Sequence, residues 1–530
     1  MLVQVRADQT ATRVWHLRLL EELNKIPGVS VGISWSVLKE PVPSCISLLF
    51  LFERMINGLP AGGLAEGAPR NAFLPFVHQP AVKPDLVLDL CGPSESALER
   101  RWYLTFDGSY GEVAALGPLL LGRAPVIAIV DAQTGVALAS GRPGTETAGI
   151  ILTAFEDCLT RVITLIVAAT RGTAPFPPCA GAASLPLRCG DVARFTMKML
   201  VRLVIRRLYQ LCTYAPHWRV GWRFVDGPDT FDLLAMPAEG WNILRDDGFR
   251  FYADPFPFAV GGRVVVFVEE FDHRLGRAAI AAAEFDAHGP RGAPRTVLAT
   301  ASHLSYPFVF EHAGEIWMTP ESTAAHRIDL YRAVQFPDSW QLAATLVAGV
   351  EASDPTLVQH AGRWWMMATV REGHGSFSDA LYLWSASNVM GPWVPHQRNP
   401  VLVDIASARP AGRIVERGGR LLRPAQDCRG GYGRAVTLAE ITRLDDEAFE
   451  QKILVTLRTG PRWPGRRLHT LNRAGPLECI DGSAVAVKIK SELNRWAGLV
   501  TRTHGVPQDD TEPVVARASG DVSELRQIEP

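Results

Sequence analysis

The order of apolar and polar positions divides the chain into two unlike halves. In the first, short apolar runs alternate with stretches of helical period. Leu2 to Val5 reads as a strand, Thr10 to Leu23 as a helix and Val29 to Trp35 as a second strand after the Pro27-Gly28 break. Strand, helix, strand at these lengths predicts a βαβ unit, and therefore parallel pairing in an open α/β sheet. Asp85 to Leu90, Arg101 to Phe106 and Val126 to Val130 are predicted as later strands, Cys45 to Ile56 as a core helix, and Gly149 to Ala169 as a long helix over one sheet face. That last run carries Glu156, Asp157 and Arg161, charges that are expensive at mid-bilayer, so it is expected to pack on a core rather than span a membrane.

The second half has a different rhythm. A residue next to Pro, an apolar run, a Gly-centred turn and a second apolar run recur roughly every 50 to 60 residues, the size of one small antiparallel sheet per unit. The copies open at Asp254-Pro255, Tyr306-Pro307, Asp354-Pro355 and Arg409-Pro410, with a fainter fifth at His469. Gly supplies the positive φ of a hairpin turn, and Pro suits a strand start where no ladder donor is needed. Five hairpins extended by later strands predict a five-bladed β-propeller. The expected organisation is therefore multidomain: an α/β open sheet over 1–172, a Pro- and Ala-rich linker over 173–240, an all-β propeller over 241–482, and a short helix with a disordered tail over 483–530.

Composition narrows the function classes. A formal net charge of -1 gives no global attraction to nucleic acid or to an acidic surface. Eight dispersed cysteines, without a CxxC pair or metal-ligand spacing, read as reduced thiols, and no cofactor or metal is expected. The N-terminus lacks the order of regions of a signal peptide, which makes the cytoplasm the expected compartment. Locally, Phe195 to Cys212 alternates apolar and basic residues at helical spacing. Such a helix can lie on an anionic membrane or dock between two domains with its basic groups solvated.

The candidate chemistry lies at the strand starts of the repeat. In a propeller they converge on the central channel, which gathers Asp254, Tyr306, Asp354, Arg409 and His469. The ends of the second strands add Glu269, Glu321, Thr369 and Gln426. Two aspartates and one or two glutamates in one funnel are what acid/base work at a glycosidic bond requires. Arg409 and Arg423 are candidates for a phosphate or carboxylate on a glycan or lipid headgroup, since guanidinium pairs with both in bidentate fashion. Tyr432 and Arg434 are placed at the same mouth, while Trp317, Trp364, Trp365 and Tyr382 are expected in blade cores.

Ala253-Asp254-Pro255 and Ser353-Asp354-Pro355, with Thr319-Pro320-Glu321-Ser322 between them, resemble the five-bladed propellers of arabinanases, fructosidases and levansucrases. That resemblance implies Asp254 as base or nucleophile, Glu321 as acid and Asp354 as the residue orienting substrate, although Glu321 here lies between the two aspartates. Tyr252 to Phe256, Ser305 to Phe308, Pro320-Glu321-Ser322, Arg423 to Cys428 and Leu468-His469-Thr470 are similar to the propeller region of glucosamine inositolphosphorylceramide transferase-like proteins. In the plant relatives a glycosyltransferase domain follows the propeller. The roughly 50 residues after Asp481 are too few for one by ordinary domain sizes.

The βαβ start and Pro84-Asp85-Leu86-Val87 resemble the N-terminal domain of formyltransferase-like proteins. An Asn-x-His setting is absent, and His78 is the one histidine between His16 and His217. The function expected is glycosyl transfer or cleavage in glycan or glycolipid biosynthesis. One alternative is a non-catalytic glycan- or glycolipid-binding module beside a separate glycosyltransferase; a second is formyl or acyl transfer to an amino sugar by the N-terminal domain.

Overall fold

The computed structural model describes residues 1–37, 42–77, 83–93, 100–144, 149–174, 187–460, 463 and 465–488. His78 and the chain from 489 onward lie outside the described residues, so the expectations of a short helix and a disordered tail there fall outside it too.

The first half forms one six-stranded sheet from β1 (Leu2–Asp8), β2 (Ser30–Ser36), β3 (Leu86–Asp89), β4 (Arg101–Phe106), β5 (Ile127–Asp131) and β6 (Ala137–Gly141), in the order β2-β1-β3-β4-β5-β6. The first four strands pair in parallel, as the βαβ reading predicts, whereas β4-β5 and β5-β6 are antiparallel. The β5-β6 hairpin is closed by Asp131, whose carboxylate accepts from the Gln133 and Thr134 N–H groups. Four helices accompany this sheet: α1 (Val14–Asn24), α2 (Ser44–Asn57), α3 (Glu112–Leu120) and α4 (Ile151–Arg171). Helix α1 begins later than its apolar period suggests because Thr10 is held in a turn by Asp8. Helix α4 is the central pillar, with Phe155, Leu159, Val162 and Ile166 fully buried in the domain core.

A further helix, α5 (Cys189–Cys212), leads to the propeller. Its five sheets are made of four or five strands each. Four of the hairpins turn on two consecutive positive-φ residues, Gly261-Gly262, Ala313-Gly314, Ala361-Gly362 and Gly418-Gly419, the type I′ geometry that matches strand twist. Only the second of each pair is always glycine, so Ala313 and Ala361 carry left-handed strain that the tight turn imposes.

The fifth sheet is built from both ends of the propeller. Leu471–Ala474 and Leu477–Ser483 pair onward to Trp218–Phe224 and Asn242–Ile243. The stretch read as linker, 173–240, therefore also supplies a blade strand and closes the ring. Sequence comparison of the repeats misses this because Trp218–Phe224 is the third strand of a blade whose first two strands lie more than two hundred residues later.

The two halves are joined by main-chain hydrogen bonds. Arg142 N–H donates to Val403 O at 2.9 Å and Ile405 N–H to Arg142 O at 3.0 Å. A Cβ at Gly141 would stand 2.7 Å from the Val403 side chain, so this close approach requires glycine.

Candidate functional site

Three of the strand starts share one backbone device. Asp254, Tyr306 and Asp354 have φ of 47°, 45° and 56°, and the ladder of each hairpin slips register at that point. A non-glycine residue in the left-handed region is strained, and the strain here re-aims its side chain and frees its N–H for the neighbouring blade. Asp254 N–H donates to Asp481 at 2.8 Å, Tyr306 N–H to Asp254 at 3.2 Å and Asp354 N–H to Glu321 at 2.9 Å. The predicted ring thus exists, and its members are wired blade to blade by carboxylates.

The centre of the ring is an arginine between acids. Arg409 Nε donates to Asp354 Oδ2 at 2.6 Å and its terminal nitrogen lies 3.5 Å from Glu321 Oε2. Gln426 Nε2 donates to the same Asp354 oxygen at 2.9 Å. Burial drives the Asp354 carboxyl well above the usual carboxylate range; Arg409 opposes that shift, while the negative charges of Glu321 and Asp254 add to it. Asp354 and Glu321 hold the Arg409 guanidinium charged against its own burial. Tyr432 stacks under that guanidinium at 4.9 Å.

Beside it runs a second group. His469 Nδ1 bonds Asp481 Oδ1 at 2.6 Å, and its Nε2 lies 3.8 Å from Asp254 Oδ1, which also accepts from the Thr470 hydroxyl at 2.8 Å. Burial raises the Asp254 carboxyl to about 7, with Asp481 and Glu269 adding to the shift and His469 working against it. Among the described residues, Asp254, His469 and Asp481 are the one group with donor atoms close enough to share a cation, within 4.8 Å of one another. Asp481 also accepts from the Asp254 and Thr470 N–H groups, so the three side chains close on themselves as an Asp–His–Asp chain. Trp218 stacks on His469 at 4.0 Å and covers it.

Exposure separates the members of this cluster. Asp254 and Asp354 are 4% and 1% exposed. Glu321 and His303 have side chains 13% and 29% exposed, and Glu269 is paired with His303 at 3.3 Å. The solvent-facing edge is therefore Glu321, Glu269 and His303, with the aspartates behind it.

Of the other candidates, Tyr306 turns its hydroxyl away from the acids, to Thr356 and the Gly412 N–H, both at 2.8 Å. Thr369 is buried without a hydrogen bond from its hydroxyl. Arg423 is not at the channel mouth. Its guanidinium donates to the Ser407 and Ala408 carbonyls and to Gln451, and burial without a carboxylate partner lowers it to about 10. The apolar pattern around it gave no warning, because a blade interior and a channel wall have the same strand period. Arg434 is exposed and donates to the Arg466 carbonyl at 3.3 Å. Trp317, Trp364 and Trp365 lie in blade cores as expected.

His303 and Asp481 are functional-site members that sequence reasoning passed over. His303 stands two residues before Ser305–His312, the first strand of the second copy, and so outside the repeat unit. Asp481 lies two residues before the end of the strand Leu477–Ser483 and accepts the Asp254 N–H as Glu321 accepts the Asp354 N–H, but it stands one residue short of the repeat position that Glu269 and Glu321 share.

In the N-terminal domain a small cleft at the strand ends is lined by Asp8, Trp15, His16, Cys91, Phe106 and Glu112, with room for about one water. His16 Nδ1 accepts from the Arg13 N–H at 3.1 Å, and burial beside Arg13 lowers its ring to about 3. The ring there is a neutral acceptor toward the Arg13 N–H.

Residues 242–482 match the family described as glucosamine inositolphosphorylceramide transferase 1, N-terminal. Over 272 residues the chain is 34% identical to glucosamine inositolphosphorylceramide transferase 1 of Oryza sativa subsp. japonica, covering 47% of this chain and 35% of that protein. Against the protein of the same name from Arabidopsis thaliana it is 34% identical over 282 residues, covering 48% and 36%. The match thus spans about a third of the length of these curated relatives. Among solved structures, a family 117 glycoside hydrolase of Zobellia galactanivorans superimposes with a TM-score of 0.33 at 12% identity, covering 50% of this chain and 90% of that one. An exo-β-1,3-galactanase of Clostridium thermocellum gives 0.32 at 12%, covering 40% and 53%. Neither superposition supports a correspondence of residues. The likeness to formyltransferases stays a resemblance of sequence.

Proposed function

We propose that this chain, whose propeller is similar to the N-terminal region of glucosamine inositolphosphorylceramide transferases, works in glycosyl transfer to a glycolipid and that its propeller recognises the sugar-bearing headgroup. The observation that carries the reading is the coincidence of two things: the matched residues 242–482 are also those whose blades deliver Glu321, Glu269, His303 and Arg409 to one edge. Carboxylates and an imidazole are suited to the hydroxyls of a sugar, and an arginine held charged between acids is suited to a phosphodiester or an acidic sugar.

Within that site the roles divide by access. Glu321 is the carboxylate that meets substrate, and Asp354 with Gln426 positions Arg409. Asp254 is shielded by Thr470, His469 and the Tyr306 N–H, which supports a role in tuning the cluster rather than in attack at an anomeric carbon. The same shielding favours a second reading, in which the propeller holds a glycan without turning it over and a separate glycosyltransferase does the chemistry.

The test is binding first and turnover second. The purified chain is offered a glycan array containing amino sugars and inositol-phosphate headgroups, and then a panel of nucleotide-sugar donors with inositolphosphorylceramide as acceptor. Headgroup binding that Glu321→Gln weakens by about tenfold supports the site. Transfer of sugar distinguishes the first reading from the second, and no binding to any glycan overturns both.

A further inference from the structure

Helix α5 is apolar on two opposite sides, and only one of them is used. Val192, Phe195 and Met199 are buried against the N-terminal core, and they root the first half of the helix. About half a turn away, Met197, Val201, Val204, Ile205, Leu208 and Leu211 recur at spacings of three and four. All six face solvent, with Ile205 and Leu208 each 59% and Leu211 73% exposed. From Val201 to Cys212 no residue of the helix is buried. A row of this length is not the scattered apolar exposure of an ordinary surface.

The charge on the same helix is one-sided. No acidic residue stands between Val192 and Cys212. Arg194, Lys198 and Arg202 recur every four residues along one flank of the apolar stripe, and Arg207 falls on the other flank. All four are exposed. Long basic side chains flanking an apolar stripe can extend their charges to a phosphate layer while the stripe enters the acyl boundary. No described helix is long and apolar enough to cross a membrane, and α5 with its five basic residues lies far from that class.

A second helix begins at the same place. The sulfurs of Cys45 and Cys189 are 3.0 Å apart, so α2 and α5 start side by side. Helix α2 also turns an apolar row to solvent, Leu48, Leu51 and Met55.

We propose that α5 is a membrane-surface helix, lying in the plane of an anionic bilayer with Val201, Val204, Ile205, Leu208 and Leu211 inserted and Arg194, Lys198, Arg202 and Arg207 at the phosphate level. The proposal stands on the helix alone and is independent of the glycan reading of the propeller. It would hold the chain at the surface where any lipid-borne substrate is found.

The experiment is co-sedimentation of the full chain with sucrose-loaded vesicles that contain no glycolipid, so that failure here says nothing about headgroup recognition. Vesicles of phosphatidylcholine alone are compared with vesicles carrying about 30% phosphatidylglycerol, at low and at high salt. The expected result is binding to the anionic vesicles that falls steeply with salt, and a loss of about tenfold or more in the Ile205→Asp, Leu208→Asp double variant. Both positions are exposed, so the variant keeps the wild-type thermal midpoint. A charge variant, Lys198→Glu with Arg202→Glu, is expected to abolish the preference for anionic lipid.

Absence of binding to phosphatidylglycerol vesicles overturns the proposal, as does equal binding by the double aspartate variant. Light scattering that shows a dimer broken by Ile205→Asp, Leu208→Asp, with vesicles ignored, overturns it in favour of a contact between copies. Burial of a Leu208→Cys thiol from maleimide labelling in the free full chain overturns it in favour of a covering segment of the same chain, since Lys488 Nζ already reaches Gln210 O at 2.6 Å.

Discussion

Two buried arginines, each set between two acids, occupy different places in this molecule. Arg161, on α4 of the N-terminal domain, donates to Asp379 at 2.9 Å, to Glu372 at 3.1 Å and to the Ser376 carbonyl at 3.2 Å, all on the propeller. Asp379 completes its shell with the Gly144 N–H at 2.7 Å. Arg409 does the same with Asp354 and Glu321 at the propeller's centre. The chemistry of the two clusters is nearly identical, and what differs is who supplies the partners. Around Arg161 they come from a single propeller loop and strand, and they lock two domains together. Around Arg409 they come from two blades other than its own, and Glu321 and neighbouring His303 reach solvent there as Glu372 does beside Arg161. Neither buried charge nor an exposed acid beside it therefore sets the candidate site apart in this chain; convergence from several blades does.

The largest effect is expected where the arginine joins the two halves of the molecule. Arg161→Met leaves Asp379 buried without its cation, which costs about 3–5 kcal/mol, whereas the double change Arg161→Met, Asp379→Leu recovers most of that loss. Urea unfolding of the unaltered chain and the two variants checks it. A single-variant loss below about 1 kcal/mol would mean that the pair does not join the domains.

A buried carboxyl with no arginine sharpens the contrast. Glu53 of α2 accepts from the Ile151 and Leu152 N–H groups, both at 2.8 Å, and caps the start of α4. Burial raises it to about 7, and the two N–H bonds only partly oppose that. A carboxyl whose folded value is raised binds its proton more tightly in the native state. Its contribution is therefore greatest below the unfolded value and is lost as pH climbs toward 7. The expected loss between about pH 4.5 and 7 is on the order of 3 kcal/mol. Glu53→Gln should flatten that part of the stability profile, and urea midpoints at pH 5 and 7.5 measure the slope.

Arg409→Met tests the propeller cluster. Asp354 keeps the Gln426 donor and its raised carboxyl can take a proton, and unlike Arg161→Met the change severs no bond between the two halves, so the expected cost is smaller, about 2 kcal/mol. The sign follows the same rule as for Glu53: the variant should lose stability as pH rises, because the native state holds a proton that the unfolded chain releases. A cost equal to that of Arg161→Met, with no pH slope, would make the two clusters equivalent and remove the distinction.

The contrast also accounts for what could be read in the chain beforehand. The ring around Arg409 was legible because its members repeat: Asp254, Tyr306, Asp354 and Arg409 each precede Pro in a hairpin whose Gly turn is visible. The Arg161 cluster was not legible. Asp379 belongs to no repeat, and Arg161 was visible only as a charge that argued against a membrane span. Blade closure by Trp218–Phe224 was hidden for the same reason, a pairing across most of the chain with no local signature. Arg423 failed in the opposite direction. It shares a motif with Gln426, yet the period of two along the strand puts it in the blade interior on three acceptors, while Gln426 meets Asp354. Exposure of Glu321 and burial of Asp254 and Asp354, the property that divides the candidate site, depend on how deep each blade end sits and have no counterpart in sequence.

The smallest expected stability effect carries the strongest functional consequence. Glu321 accepts from the Asp354 N–H at 2.9 Å through Oε2 and from the Thr323 hydroxyl at 3.1 Å through Oε1. In Glu321→Gln the amide oxygen can take over the Asp354 N–H, and the amide nitrogen then occupies the place of Oε1. The variant loses its charge toward Arg409, which still has Asp354 at 2.6 Å, and the thermal midpoint should move by the equivalent of about 1 kcal/mol or less. A sugar hydroxyl that donates to the exposed edge of this carboxylate would meet an amide N–H instead, so headgroup affinity should fall by about tenfold while the fold stands. Isothermal titration with the best ligand from the array, beside a melting curve on the same sample, separates the two. A variant that melts early and binds normally would place Glu321 with Asp379, as a group that holds blades together rather than one that meets substrate.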